Sequence, residues 1–275
     1  TAYEIGVRLV GSEMCIRDSS KAGSKFAAFN TKLEGQDLQQ LAYGTSSAKQ
    51  ITLSFYVKSN VTGTFCVSLY KPDQTDRNVS LGYTISSANT WEKKELTFPA
   101  DTGGGGIDNN NGSGLEIYWV VARQQGYAGT ASTTWGNNTD SRFANLCTAT
   151  IFENTNDHIM FTGVQLEVGD TATSFEHRSF HDELLRCQRY YAEAGVVLAD
   201  GTPERYHNNV SLPVEMRAIP TRTVLHVDSG SGGNMYPNWG RSGGAPTNAS
   251  STRQFYQGSA NSAISSAFIS FNAEL

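Results

Sequence analysis

Ile51-Thr52-Leu53-Ser54-Phe55-Tyr56-Val57-Lys58-Ser59-Asn60-Val61-Thr62-Gly63-Thr64-Phe65-Cys66-Val67-Ser68-Leu69 is the stretch that sets the fold class. Ile51, Leu53, Phe55 and Val57 take every second position, and Thr52, Ser54, Tyr56 and Lys58 lie between them. Successive side chains of a strand point to opposite faces, so this alternation predicts a strand with one buried face. Ser59 to Gly63 is rich in turn formers, after which Phe65, Val67 and Leu69 resume the same period. The two runs are expected to pair as a hairpin.

Outward from that pair, further strand patterns cover Leu81 to Ile85, Trp91 to Phe98, Leu115 to Val121, Cys147 to Glu153 and Ile159 to Val168. Gly- and Asn-rich connections separate them, the longest running from Thr102 to Gly114. Many short strands joined in this way predict two packed antiparallel sheets. The expectation is an all-β chain whose residues 20–178 form a jelly-roll-like β-sandwich. Composition agrees, with 27 Gly, 11% aromatic and only 17% charged residues, a profile of turn-rich β proteins.

One helix is expected, over 179–194. Ser179 and Asp182 make a capping-box-like start, and Phe180, Leu184, Cys187 and Tyr191 recur at helical spacing. Asp182 and Glu183 suit the positive end of the helix dipole, and Gly195 is placed to stop the helix. The pattern beyond it returns to β at Val210 to Met216, Val224 to Val227 and Ala267 to Leu275. Residues 195–275 are therefore expected to form a second, smaller β domain, with a surface loop from Asp228 to Ser251.

The first nineteen residues are of another kind. Thr1-Ala2-Tyr3-Glu4 and Leu9-Val10-Gly11-Ser12-Glu13-Met14-Cys15-Ile16-Arg17-Asp18-Ser19 back-translate into the two fixed blocks of an indexed sequencing adapter, with room for a sample index between them. Residues 1–19 resemble a translated adapter and are set aside as non-native, as fusion scars are. The native frame is expected to begin near Ser20, truncated. The missing part would hide any signal peptide.

The formal net charge is −5, and setting aside Glu4, Glu13 and Asp18 against Arg8 and Arg17 makes it one unit less negative. A groove that tracks phosphates needs clustered Lys and Arg, which are absent, so no nucleic-acid partner is expected. No apolar run approaches the roughly 20 residues of a membrane helix, and no membrane insertion is expected. Outside the adapter the cysteines are Cys66, Cys147 and Cys187. Their number is odd and their spacing matches neither a zinc site nor a disulfide framework. They read as free thiols of a protein folded in a reducing cytosol, with Cys66 and Cys147 as small packing residues.

Motifs for chemistry are missing. There is no Gly-x-Ser-x-Gly elbow, no His-Glu-x-x-His and no phosphate loop, so neither enzymatic activity nor a cofactor is expected. His177 and His181 are four apart but straddle the cap Ser179, which argues against a metal pair. Asp108-Asn109-Asn110-Asn111 offers oxygen ligands without the register of a calcium loop, and a turn is expected there. The carboxylate pair of a glycosidase stays open, because its separation exists only in three dimensions.

Thr162-Gly163-Val164-Gln165-Leu166-Glu167-Val168-Gly169, then Ala172-Thr173-Ser174-Phe175-Glu176-His177-Arg178 and Leu184-Leu185-Arg186-Cys187-Gln188-Arg189-Tyr190-Tyr191, resemble a segment common in bacteriophage tail-fibre and related virion proteins. Leu33-Glu34-Gly35-Gln36-Asp37-Leu38, Leu53 to Ser59, Asn89 to Lys94 and the closing Asn272-Ala273-Glu274-Leu275 fit the same family. The resemblance implies a carbohydrate-binding-module-like sandwich joined by a short helix to a C-terminal β domain. It also implies a structural or adhesive protein of the virion tail, assembled in the bacterial host's cytoplasm. The implied partners are a bacterial surface polysaccharide or protein receptor, other virion proteins and further copies of the chain, a homotrimer by class. Two other readings stay open: a purely structural virion module, or the binding module of a polysaccharide-degrading enzyme.

Sugar recognition needs an exposed aromatic platform beside amide or carboxylate groups. The candidate ligand-binding residues are Trp135 and Tyr127 in the first domain and Tyr236 and Trp239 in the long loop of the second. Tyr118 and Trp119 are weighed beside them, and the apolar strand around Trp119 marks that residue as core.

Overall fold

A computed structural model describes residues 26–123, 132–198, 206–229, 253–258 and 265–273. The adapter-like residues 1–19, Tyr127 and the Tyr236 and Trp239 loop lie outside the described residues. The chain divides into two units, Thr1–Glu176 and His177–Leu275.

The described secondary structure is mostly β, in antiparallel sheets, with few and short helices. The first unit holds β1 (Phe26–Glu34), β2 (Ile51–Ser59), β3 (Gly63–Lys71), β4 (Arg77–Ile85), β5 (Glu92–Phe98), β6 (Ser113–Arg123), β7 (Gly136–Asn137) and β8 (Ile159–Val168). Five of them form a sheet in the order β1-β6-β3-β4-β7, and the other three a sheet in the order β5-β2-β8. A 3-10 segment, Gly35–Leu41, follows β1, and α1 (Asp140–Ala144) follows β7.

The two sheets share one core. Ile51, Leu53, Phe55 and Val57 of β2 are fully buried, as are Phe65, Val67 and Leu69 of β3 and Leu115 and Ile117 of β6. Phe55 sits at its centre, with the rings of Tyr83, Trp119 and Phe161 at 5.2, 6.3 and 5.9 Å. Such pairs add about 0.5–1.5 kcal/mol each beyond the area they bury. The Tyr83 hydroxyl and the Trp119 indole N–H are buried without a hydrogen-bond partner among the described residues, so apolar contact rather than polar pairing holds this centre.

The expected hairpin of Ile51–Val57 with Phe65–Leu69 does not form. β2 pairs with β5 and β8, whereas β3 pairs with β4 and β6. The chain between Ser59 and Gly63 therefore crosses from one sheet to the other. Alternation gives each strand a buried face, and two strands that face each other across a core carry the same pattern as two strands side by side. A second difference lies at Cys147 to Glu153, which is irregular rather than a strand. Instead of a full ladder, Thr148 and Ala149 both give their N–H groups to the Thr64 carbonyl.

One end of the core is closed by charge. Lys71, the last inward residue of β3, is fully buried beside fully buried Asp101. Its Nζ lies 3.4 Å from Asp101 Oδ2 and donates to the carbonyls of Gly104 and Gly105, while Arg77 Nε donates to both Asp101 oxygens. Burial pulls the Lys71 pKa down and the Asp101 charge opposes it. Gly44, at φ +80°, brings its backbone so close to Gly105 that a Cβ would lie 2.3 Å from the Gly105 carbonyl carbon, which only glycine permits.

In the second unit α2 spans Phe180–Gln188, and the Ser179 hydroxyl accepts from the Asp182 N–H as the cap pattern predicts. The helix ends well before 194 because Tyr191–Leu198 forms strand β9. The Tyr190 carbonyl accepts from Ala273 N, and the Arg189 carbonyl from Arg217 N. These tertiary bonds win over the helical spacing of Tyr191, which is itself exposed. β10 (Tyr206–Ser211) pairs with β12 (Arg253–Gly258), and β13 (Ser265–Asn272) lies between β9 and β11 (Thr221–Ser229).

Candidate functional site

The five-stranded sheet has a second face, turned away from the core, and its residues follow from register. Asn30 of β1 lies opposite Tyr118 of β6, which lies opposite Ser68 of β3, itself opposite Ser80 of β4. One row along, Lys32 lies opposite Glu116, then Tyr70 and Asn78. A third row runs Ala28, Val120, Cys66, Gly82.

On the β3 and β4 side the outward residues are small, and there α1 lies down on the sheet. Ser68 Oγ and Ser80 Oγ donate to the Phe143 carbonyl, and Ser80 Oγ also to that of Arg142. Ser132 adds a further hydroxyl to the Arg142 carbonyl at 2.7 Å. These bonds occupy carbonyls that a five-residue helix leaves without intrahelical partners. Arg142 itself reaches Asn78 and the Thr134 carbonyl.

On the β1 and β6 side the side chains are large and the face is open. Phe143 forms the boundary, its ring meeting Tyr118 edge-on at 5.1 Å, Phe26 in a stack at 5.5 Å and Tyr70 at 5.8 Å. Beside these rings Glu116 is held by the Tyr118 hydroxyl at 2.5 Å, the Ser113 hydroxyl at 3.0 Å and the Lys32 ammonium at 3.7 Å. Burial, then the hydrogen bond to Glu116, pushes the Tyr118 hydroxyl pKa up. Burial also raises that of Tyr70, helped by its hydrogen bond to Asp76. Both phenols thus stay protonated donors across the ordinary pH range.

The result is a patch of two half-buried phenol rings, the exposed amide of Asn30 and the partly exposed ammonium of Lys32, with the buried Glu116 carboxylate fixed beneath them. Flat aromatic faces take the apolar side of a sugar ring, and the fixed polar groups beside them take its hydroxyls. Tyr118 was legible as a candidate in the sequence. Tyr70, Glu116, Asn30 and Lys32 were not, although each occupies an outward position of an alternating strand.

Trp135 stands elsewhere. Its indole N–H donates to the Pro99 carbonyl at 2.8 Å and its ring meets Tyr43 edge-on at 5.6 Å. The half-buried indole packs against the core. Tyr127, Tyr236 and Trp239 are outside the described residues. Trp119 is core. The Asp108–Asn111 segment makes local turns, with Asn110 N donating to the Asp108 carbonyl and Asn110 Oδ1 accepting from Gly112 N. Among the described residues no three His, Cys, Asp or Glu side chains converge, and no helix is long and apolar enough to cross a membrane.

No family model, no curated protein and no solved structure matches the chain.

Proposed function

We propose that this chain is part of a bacteriophage tail fibre or related virion appendage. In this reading its first unit is a jelly-roll-like sandwich that binds a bacterial surface glycan. The observation that carries the binding role is the open half of the outer face, where Tyr118 and Tyr70 stand beside Glu116, Asn30 and Lys32. The virion assignment draws its support from the tail-fibre resemblance of the segments around Thr162 to Tyr191. The protein works in the virion tail as a homo-oligomer, a trimer by class. Repeated weak contacts then multiply, so modest affinity at each site suffices.

A glycan array probed with the oligomeric protein tests this. Binding that disappears in Tyr118→Ala and Tyr70→Ala, with the β circular-dichroism signal kept, supports the outer-face site. Binding that survives both variants but falls in Trp135→Ala or Trp239→Ala moves the site to the loops. No binding to any surface glycan favours a purely structural module, and release of reducing ends from capsule favours an enzyme.

A further inference from the structure

Two of the cysteines meet beneath the α1 cap. Cys66 lies on the outer face of β3, opposite Val120 of β6, and its Sγ donates to the Phe143 carbonyl at 3.4 Å. Cys147 follows α1, and its Sγ lies 3.8 Å from the Val120 carbonyl and 3.2 Å from that of Ala149. Main-chain bonds from Thr148 and Ala149 to Thr64 hold this segment against β3. Both side chains are buried, and both thiols are free. The two thiols are close enough to shift each other's titration.

We propose that Cys66 and Cys147 form a disulfide that fastens the α1 cap to β3 once the folded protein leaves the reducing cytosol. The pair suits this bond for three reasons. Both sulfurs sit beneath α1 beside Val120, which lies opposite Cys66 and whose carbonyl is 3.8 Å from Cys147 Sγ, so closing the bond asks for little movement of a backbone tied to Thr64. A disulfide carries no charge and needs no hydrogen-bond partner, which fits a buried site better than a thiolate does. The two thiols also differ. The neighbouring Cys66 thiol, with the charge of Arg123, draws the Cys147 thiol down, whereas the neighbouring Cys147 thiol and burial push Cys66 up.

The exchange balances from either sulfur, and one route begins at Cys147. With glutathione disulfide as oxidant, the Cys147 thiolate attacks one sulfur and expels a glutathione thiolate, which takes up a proton. Cys66, deprotonated in turn, displaces the second glutathione from the mixed disulfide. Two thiols lose two protons and two electrons, and glutathione disulfide becomes two glutathione molecules. Both sulfurs are shielded while the cap is closed, so the exchange proceeds through local lifting of α1. Because the bond would lie next to Phe143, it would also stiffen the wall of the aromatic patch.

The test uses the full chain equilibrated with reduced or oxidised glutathione, then unfolded in acid, alkylated and digested. The oxidised sample is expected to yield one cross-linked peptide pair joining Cys66 to Cys147, two hydrogen atoms lighter than the separate peptides, with exposed Cys187 alkylated. It should also melt at a higher temperature and show slower amide exchange over residues 140–149 than the reduced sample. Alkylation of both Cys66 and Cys147 after oxidation overturns the proposal, as does a disulfide that joins either of them to Cys187.

Discussion

The two faces of the five-stranded sheet are built on the same strands but by different rules. The inner face is apolar over most of its area, with Val67, Leu69, Ile117 and Trp119 locked against the second sheet. The outer face changes character across its width, from small residues beneath α1 to tyrosines and charges on the open side. The inner face supplies stability and is indifferent to which apolar residue stands where, within volume limits. The outer face fixes its residues in position: hydroxyls that hold a helix, half-exposed rings, and a buried Glu116 carboxylate held by its neighbours.

The largest effect is expected in the core, where β2 of the second sheet packs against the inner face. Phe55→Ala removes the ring on which Tyr83, Trp119 and Phe161 converge, and is expected to cost about 3–5 kcal/mol. Chemical denaturation of wild type and variant measures it. A loss no larger than that of an outer-face substitution such as Asn30→Ala would mean that the core beneath the inner face contributes no more to stability than the outer face.

Lys71 is the exception on the inner face, and it gives the next largest effect. Lys71→Met should cost about 2–3 kcal/mol. That is less than an uncompensated buried charge, because Arg77 stays on Asp101, but the carbonyls of Gly104 and Gly105 lose their donor. Amide exchange over 103–106 should quicken in the variant more than exchange within β2. Equal change in both places would show that Lys71 acts on the whole core and not on the loop.

These two residues also show what was legible in the chain. Phe55 was marked as core by alternation alone, and the helix start at Ser179 by its cap pattern, because both depend on neighbours near in sequence. Lys71 was not, since the same period that places it inward says nothing of Asp101, 30 residues on. The pairing of β2 was misread for the same reason: period two reports which face is buried and not which strand lies alongside. Tyr70 and Glu116 could have been found as outward residues, but their meeting depends on β3 and β6 being neighbours, a fact of topology. Cys66 and Cys147 come together through α1, whose five residues are too few to leave a periodic signal.

Alkali probes the buried tyrosines by titration. An unfolded tyrosine gives up its proton at about pH 10. Burial, aided by the nearby charge of Asp101, raises Tyr43 well above that, and burial does the same to Tyr83 in the core. The unfolded chain therefore binds fewer protons than the folded one above about pH 10, and by linkage stability is intact below that value and falls as pH rises past it. Tyrosinate absorbance followed beside circular dichroism should show Tyr43 and Tyr83 ionising only as the fold is lost. Ionisation of every tyrosine with the sheet signal unchanged would contradict their burial.

The smallest effect on stability is expected to accompany a large one on binding. Tyr118→Phe keeps the ring that meets Phe143 and removes only the hydroxyl that donates to Glu116 at 2.5 Å. Glu116 retains Ser113 and Lys32, so the cost should be about 0.5–1.5 kcal/mol, well under that of Phe55→Ala. If the outer face is a recognition surface, its carboxylate is useful only in a fixed orientation. Freed from Tyr118, Glu116 then samples several rotamers, and glycan affinity should fall even though every aromatic ring is kept. Comparing Tyr118→Phe with Tyr118→Ala separates the contribution of the carboxylate's orientation from that of the ring. An affinity unchanged in Tyr118→Phe but lost in Tyr118→Ala would leave stacking as the whole of recognition and reduce Glu116 to a partner that keeps the tyrosine upright.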